Sequence, residues 1–215
     1  MDIYTINPTY KHTKTVIILH GMNQEYEEIN NLCRSIKKSK RGIKFIFPIC
    51  KPIDISWPDN VEKDSISWYN YFSRYDNHMK HDLIDQDEFN YKVKEICNII
   101  KNETKYIDSK NITLVGISQG GTVAINSGLL VDVKLNQVIC IDTIFLHSYF
   151  DYGNFKIKQV FTIFQSTKDN IYNPLFQDYT YDVLNNYGNI IIKNIHNLTH
   201  CEDMYIIEKF IISKL

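Results

Sequence analysis

The sequence predicts an α/β fold: a mostly parallel sheet, doubly wound, with helices on both faces. Three observations carry that expectation. Residues 15–20 (TVIILH) form an unbroken β-branched and apolar run ending in His-Gly, as a strand buried on both faces of a parallel sheet requires. Strand-length apolar runs then alternate with helix-length amphipathic segments through most of the chain. One junction between the two kinds, Gly116-Ile-Ser118-Gln-Gly120, has the form of a sharp strand–turn–helix corner.

Taken in order, the first strand at 15–20 is followed by a helix over 25–40, where Tyr26, Ile29, Cys33 and Ile36 share one face. A short strand at 43–47 stops at Pro48. Residues 50–86 are rich in Pro, Asp, Ser, His and aromatics without a sustained period, and read as an irregular loop region over the functional site. Phe89, Val93, Ile96 and Ile100 then define a helix over 87–105. A strand at 112–115 opens directly into a helix at 119–130. Strands at 138–141 and 160–164 follow, then a helix at 174–186 with Pro at its first position. A strand at 188–192 and a closing helix at 202–212 complete the series. Crossovers of this kind are right-handed. With no linker, repeat or low-complexity tract, residues 1–215 read as a single domain.

The bulk properties exclude several classes. A formal net charge of -1 over 215 residues argues against a nucleic-acid partner. Five cysteines without CxxC spacing read as reduced thiols rather than a disulfide framework or metal site. No apolar run is long enough for a transmembrane helix, and the opening residues lack the apolar core of a signal peptide. A cytoplasmic protein is the expectation.

The chemistry centres on Ser118. In Gly116-Ile-Ser118-Gln-Gly120-Gly121 the serine hydroxyl is pushed out of the sheet on a strained turn, and side chains at 116 and 120 would collide with neighbouring backbone. Gly121 gives the following helix room against the strand. The helix N-terminus beside Ser118 suits an oxyanion. In such a fold the loop after the first strong strand, His20-Gly21-Met22-Asn23, faces the serine. The backbone N–H groups of Met22 and Gln119 are therefore the expected oxyanion donors, with His20 a structural residue that orients the loop.

The acid and then the histidine follow the serine along the chain in this arrangement. Only His196 and His200 come soon after the last predicted strand, and His200, placed just before the closing helix, is the expected base. Asp169, on a loop after the strand at 160–164, is the expected acid. Asp142 ends the preceding strand and competes with it, and Asp151 is the remaining candidate.

With these pieces in order, the sequence resembles the phospholipase/carboxylesterase family of α/β-hydrolases, which includes acyl-protein thioesterases. The likeness rests on VIILHGM, Ser67-Trp68-Tyr69, GISQGGTVA and NLTHCEDMYIIEKFI. Asn23 stands where the family has a second glycine, and the acid segment lacks the family's turn glycine. The resemblance implies a Ser118–His200–Asp169 hydrolase acting on a small-molecule or lipid acyl ester or thioester, with no metal or organic cofactor. It also implies that Trp68 and Tyr69 border the acyl pocket. Trp57, Tyr71, Phe72 and Tyr75 are further aromatics of that region, more of them expected to pack the loop than to line a pocket. Two other readings remain open: a catalytically degenerate binding protein, and an amide or peptide hydrolase on the same fold.

Overall fold

The computed structural model describes residues 1–24, 27, 28, 30, 31, 42–151, 153, 155 and 157–215. Most of the helix expected over 25–40 lies outside the described residues. The strands are β1 (Asp2–Ile6), β2 (Lys14–Leu19), β3 (Ile43–Ile49), β4 (Pro52–Ser56), β5 (Val61–Ile66), β6 (Ile112–Ile117), β7 (Gln137–Ile141), β8 (Val160–Ser166) and β9 (Ile190–His196). The helices are α1 (Gln86–Glu103), α2 (Gln119–Leu130), α3 (Pro174–Asn186) and α4 (Met204–Lys214).

Seven strands form one sheet in the order β1-β3-β2-β6-β7-β8-β9, antiparallel only where β1 meets β3. Period-two alternation divides the core between its faces. Ile17, Leu19, Leu114 and Cys140 point to the face covered by α1, α2 and α3, where Phe89, Ile96, Val123 and Leu184 pack. Val16, Ile18, Val115 and Ile139 point to the other, against Ile207, Phe210 and Ile211 of α4. Each such side chain, essentially removed from water, contributes about 1.5–3 kcal/mol of transfer free energy. Among the described residues no helix is long and apolar enough to cross a membrane.

Helix starts follow from caps. Asp85 accepts from the amides of Asp87 and Glu88, and Asn173 precedes Pro174 and accepts from Leu175. Asp203 accepts from the amides of Tyr205 and Ile206, which moves the start of the closing helix from the expected 202 to Met204.

The sheet differs from the expectation at its edges and in one loop. β1 is an edge strand exposed along most of its length, so no apolar run marks it. β3 continues through Pro48 because its pairing with β2 ends at Ile46, and beyond that point Pro48 faces only β1. The region 50–86 is not wholly irregular: β4 and β5 form an antiparallel hairpin, and Tyr71 bridges to Ile84. Few hairpin side chains are buried, so its alternation leaves no hydrophobic signature. β9 is the opposite edge strand and begins after a turn at Gly188 (φ 79°), two residues later than expected.

The chain leaves β2 outward to β3, then returns to add β6 on the other side of β2, with Leu19 in register with Gly116. The loops beyond β2 and β6 therefore diverge around a crevice at the carboxyl ends of adjacent strands, where ligands bind in open α/β sheets.

Candidate active site

Ser118 sits between β6 and α2 at φ 49°, ψ -119°, a conformation that L residues rarely adopt and that the surroundings impose. Its N–H donates to the carbonyl of Ile141 at 2.9 Å, and its carbonyl accepts from Thr143 Oγ1 at 2.7 Å. The turn leaves no space beside it. A Cβ at position 116 would come within 2.6 Å of Ala124 Cβ, and one at 120 would enter the carbonyl oxygens of Leu19 and His20. Gly121 has a reason other than the expected one: a Cβ there would lie 2.6 Å from Thr143 Cβ, so it makes room for the loop after β7.

Loops from two further strands bring an imidazole and a carboxylate to this hydroxyl. His200 Nε2 lies 2.8 Å from Ser118 Oγ, and its Nδ1 lies 2.8 Å from Asp169 Oδ2. The Asp169 carboxylate is almost fully buried but well supplied with donors. The amides of Ile171 and Tyr172 donate to Oδ1 at 2.9 Å each, and Gln177 Nε2 donates to Oδ2 at 3.0 Å. The Tyr172 ring and the imidazole meet edge to face with centroids 5.6 Å apart. His196, the alternative base, stacks on Phe164 at 3.9 Å on the α4 side of the sheet. Asp142, the alternative acid, is buried and accepts from Ser166 and from the amide of Cys201.

The loop after β2 faces the serine from the other side. A Cβ on Gly21 would stand 3.5 Å from Ser118 Cβ. Gln119 is the first residue of α2, so no carbonyl of an earlier helical turn takes its N–H. Met22 and Gln119 line the cavity beside Ser118 and His200. Asn23 adopts φ 56°, the left-handed conformation its residue type tolerates. It also does what a glycine could not: Oδ1 accepts from the amide of Ile66 at 2.9 Å and Nδ2 donates to Glu62 at 2.8 Å, tying the loop to β5. Burial lowers the pKa of His20 to about 4. The neutral ring accepts from the Cys50 amide at Nε2, so Nδ1 carries the proton and donates to the Gly21 carbonyl.

Trp68 and Tyr69, expected at the pocket wall, are each about 1% exposed and lie beneath it. Trp68 stacks on His20 with centroids 4.8 Å apart, and its Nε1 donates to the His20 carbonyl at 2.8 Å. Tyr69 Oη pairs with Thr122 Oγ1 at 2.9 Å. The Gln119 side chain holds this segment to the elbow: Oε1 accepts from the Trp68 amide at 3.0 Å and Nε2 donates to the Tyr69 carbonyl at 3.1 Å. The aromatics that do face the cavity are Trp57, Tyr71 and Tyr172, joined by Met204, Glu62 and Asp82, around a volume of about 530 Å³. Neither Phe72 nor Tyr75 is part of that wall. Tyr172 had no motif to mark it, and only its closeness to Asp169 in sequence could have drawn notice.

Sheet order, the elbow and the convergence of three strand-end loops define an α/β-hydrolase fold. Solved structures agree. An Arabidopsis thaliana SOBER1 variant superposes with a TM-score of 0.78 at 18% identity, covering 94% of this chain and 97% of that one. Zea mays acyl-protein thioesterase 2 gives 0.75 at 14% identity, covering 99% and 98%. A Bacillus cereus carboxylesterase gives 0.71 at 16%, covering 98% and 91%. The chain belongs to the phospholipase/carboxylesterase family, whose model matches residues 2–213. By sequence it is similar to acyl-protein thioesterase 1 of Yarrowia lipolytica, 28% identical over 133 residues, and of Schizosaccharomyces pombe, 29% over 135. Those matches take in 60% and 62% of this chain, and 56% and 57% of the relatives' lengths.

Proposed function

We propose that this protein is a serine hydrolase that cleaves carboxylic ester or thioester bonds through an acyl-enzyme, with Ser118 as nucleophile, His200 as base and Asp169 as acid. The observation that carries the reading is the unbroken chain from Ser118 Oγ through both nitrogens of His200 to the buried Asp169 carboxylate, with both links at 2.8 Å. Asp169 holds the ring with its proton on Nδ1, which leaves Nε2 free to take the serine proton as Oγ attacks the carbonyl carbon. The amides of Met22 and Gln119 receive the oxyanion, each such donor being worth about 3 kcal/mol in the transition state. Protonated His200 then gives its proton to the departing alcohol or thiol. A water activated by the same nitrogen releases the acid and regenerates Ser118. Side chains and amides of this chain carry every step.

Incubation with a fluorophosphonate tests the reading directly. The expected result is one covalent adduct on Ser118 and loss of p-nitrophenyl acetate hydrolysis in proportion. An unlabelled protein with no turnover of a panel of oxygen esters and thioesters would instead indicate a binding protein on a hydrolase fold.

Trp68→Phe separates a wall residue from a supporting one. It keeps the stacking on His20 but removes the N–H that holds the carbonyl next to the oxyanion loop. A hydrogen bond of about 1 kcal/mol lost beneath the site is expected to lower kcat about fivefold with KM little changed. A rise in KM at constant kcat would place the ring against the substrate.

A further inference from the structure

The reaction proposed above uses Asp169 and leaves Asp142 without a part. Asp142 follows β7, is fully buried, and takes a φ of 40°. A buried carboxylate in that backbone conformation persists only where its contacts require it. Those contacts join the two loops that carry the acid and the base. Its Oδ1 accepts from the Ser166 amide at 2.8 Å, and its Oδ2 accepts from Ser166 Oγ and from the Cys201 amide at 2.9 Å each. Ser166 ends β8, three residues before Asp169, while Cys201 follows His200 directly and itself adopts φ 48°. A carboxylate oxygen of Asp142 also lies within 4.8 Å of a ring nitrogen of His200.

We propose that Asp142 is a second anionic partner of His200, a positioning residue that sets the His200–Cys201 turn over Ser118 and adds its charge to the stabilisation of the imidazolium. The inference rests on the assignment of Ser118 and His200 made above. The titratable groups around His200 are Asp169 from the loop after β8, Asp142 from the loop after β7, the Cys201 thiol and Tyr172, whose ring meets the imidazole at 5.6 Å. Burial pushes both the thiol and the phenol well above their usual ranges, so both are neutral, and the two aspartates supply the charge. Burial, with the like charge of Asp169, also pushes Asp142 upward, opposed by the Cys201 amide, by the positive charge on His200 and by Ser166 Oγ. An anionic Asp142 would stabilise a cationic His200 through that same interaction. A neutral side chain would not hold even the tie between the two loops. Only an acceptor at both oxygens takes three donors at once, and asparagine offers one oxygen and a competing donor.

Asp142→Asn tests this on the full chain, with the rate expressed per fluorophosphonate-titrated serine so that misfolded protein does not count. The expected result is a kcat lowered about tenfold or more with KM changed less than about twofold. The acid limb of kcat/KM should move to lower pH, because removing an anion makes the imidazolium easier to deprotonate. A wild-type limb and a wild-type rate per site would overturn the proposal while Ser118 labelling left the hydrolase assignment standing. Wild-type protein that takes no label would overturn both. Should Asp142→Asn fail to fold, Ser166→Ala decides. It keeps the carboxylate, removes one of its donors and so exposes His200 to a less neutralised charge. Movement of the acid limb supports the proposal, to higher pH while Asp142 stays ionised and to lower pH where the lost donor lets it protonate, and an unmoved limb overturns it.

Discussion

Ser118→Ala is expected to reduce kcat for p-nitrophenyl acetate by about 10⁵–10⁶-fold, leaving only the catalysis that oxyanion donors and substrate binding supply by themselves. The side chain is the one group of the elbow that changes. Its backbone is held by the Ser118 amide on the Ile141 carbonyl, and by Thr143 Oγ1 and the Gly121 amide on the Ser118 carbonyl. Alanine inherits those three bonds and the same disfavoured φ of 49°. The variant is therefore expected to fold with a melting temperature within a few degrees of wild type, since ~1 kcal/mol moves the midpoint by only about 2–4 °C in a chain of this size. Circular dichroism checks the fold and the ester assay checks the chemistry. Folded Ser118→Ala protein that still turned over ester would put the nucleophile elsewhere.

The parts of the fold legible in the sequence are those whose pattern is their own. β2 and β6 are buried on both faces and read as unbroken apolar runs. The bounds of α2 and α3 are marked by the Ser118 corner and by Asn173-Pro174. β1, β9 and the β4–β5 hairpin are visible only through pairing, because one or both faces meet water and the side chains need not alternate. The candidate site divides in the same way. Ser118 and His200 are named by local motif and chain order. Trp68 and Tyr69 are expected at the pocket on resemblance to the family, but their positions depend on partners 48 and 53 residues away, at the His20 carbonyl and Thr122 Oγ1. The side-chain tasks of Gln119 and Asn23, and the tie that Asp142 makes between two loops, are long-range hydrogen bonds of the same kind.

Asp169 is the acid the sequence favours and Asp142 its competitor, and the geometry predicts losses of very different size for the two. Asp169→Asn is expected to lower kcat about 10⁴-fold, through the tautomer of His200 rather than through loss of structure. The amides of Ile171 and Tyr172 both donate to Oδ1 and will keep the asparagine oxygen there, which turns its NH₂ group toward His200 and Gln177. An NH₂ group facing Nδ1 needs an acceptor, so the ring proton moves to Nε2, where it points at Ser118 Oγ. The nitrogen that should take the serine proton then already carries one. Asp142→Asn acts differently, because Nδ1 keeps its partner and only a neighbouring charge and the tie to Cys201 are lost. Rates per titrated serine should therefore fall about a thousandfold further in Asp169→Asn than in Asp142→Asn. Equal losses would sink the assignment of Asp169, and a reversed order would move the acid to Asp142. Magnitude is what separates the two roles: a carboxylate that sets the tautomer decides whether a base exists, whereas one that only adds charge decides how good a base it is.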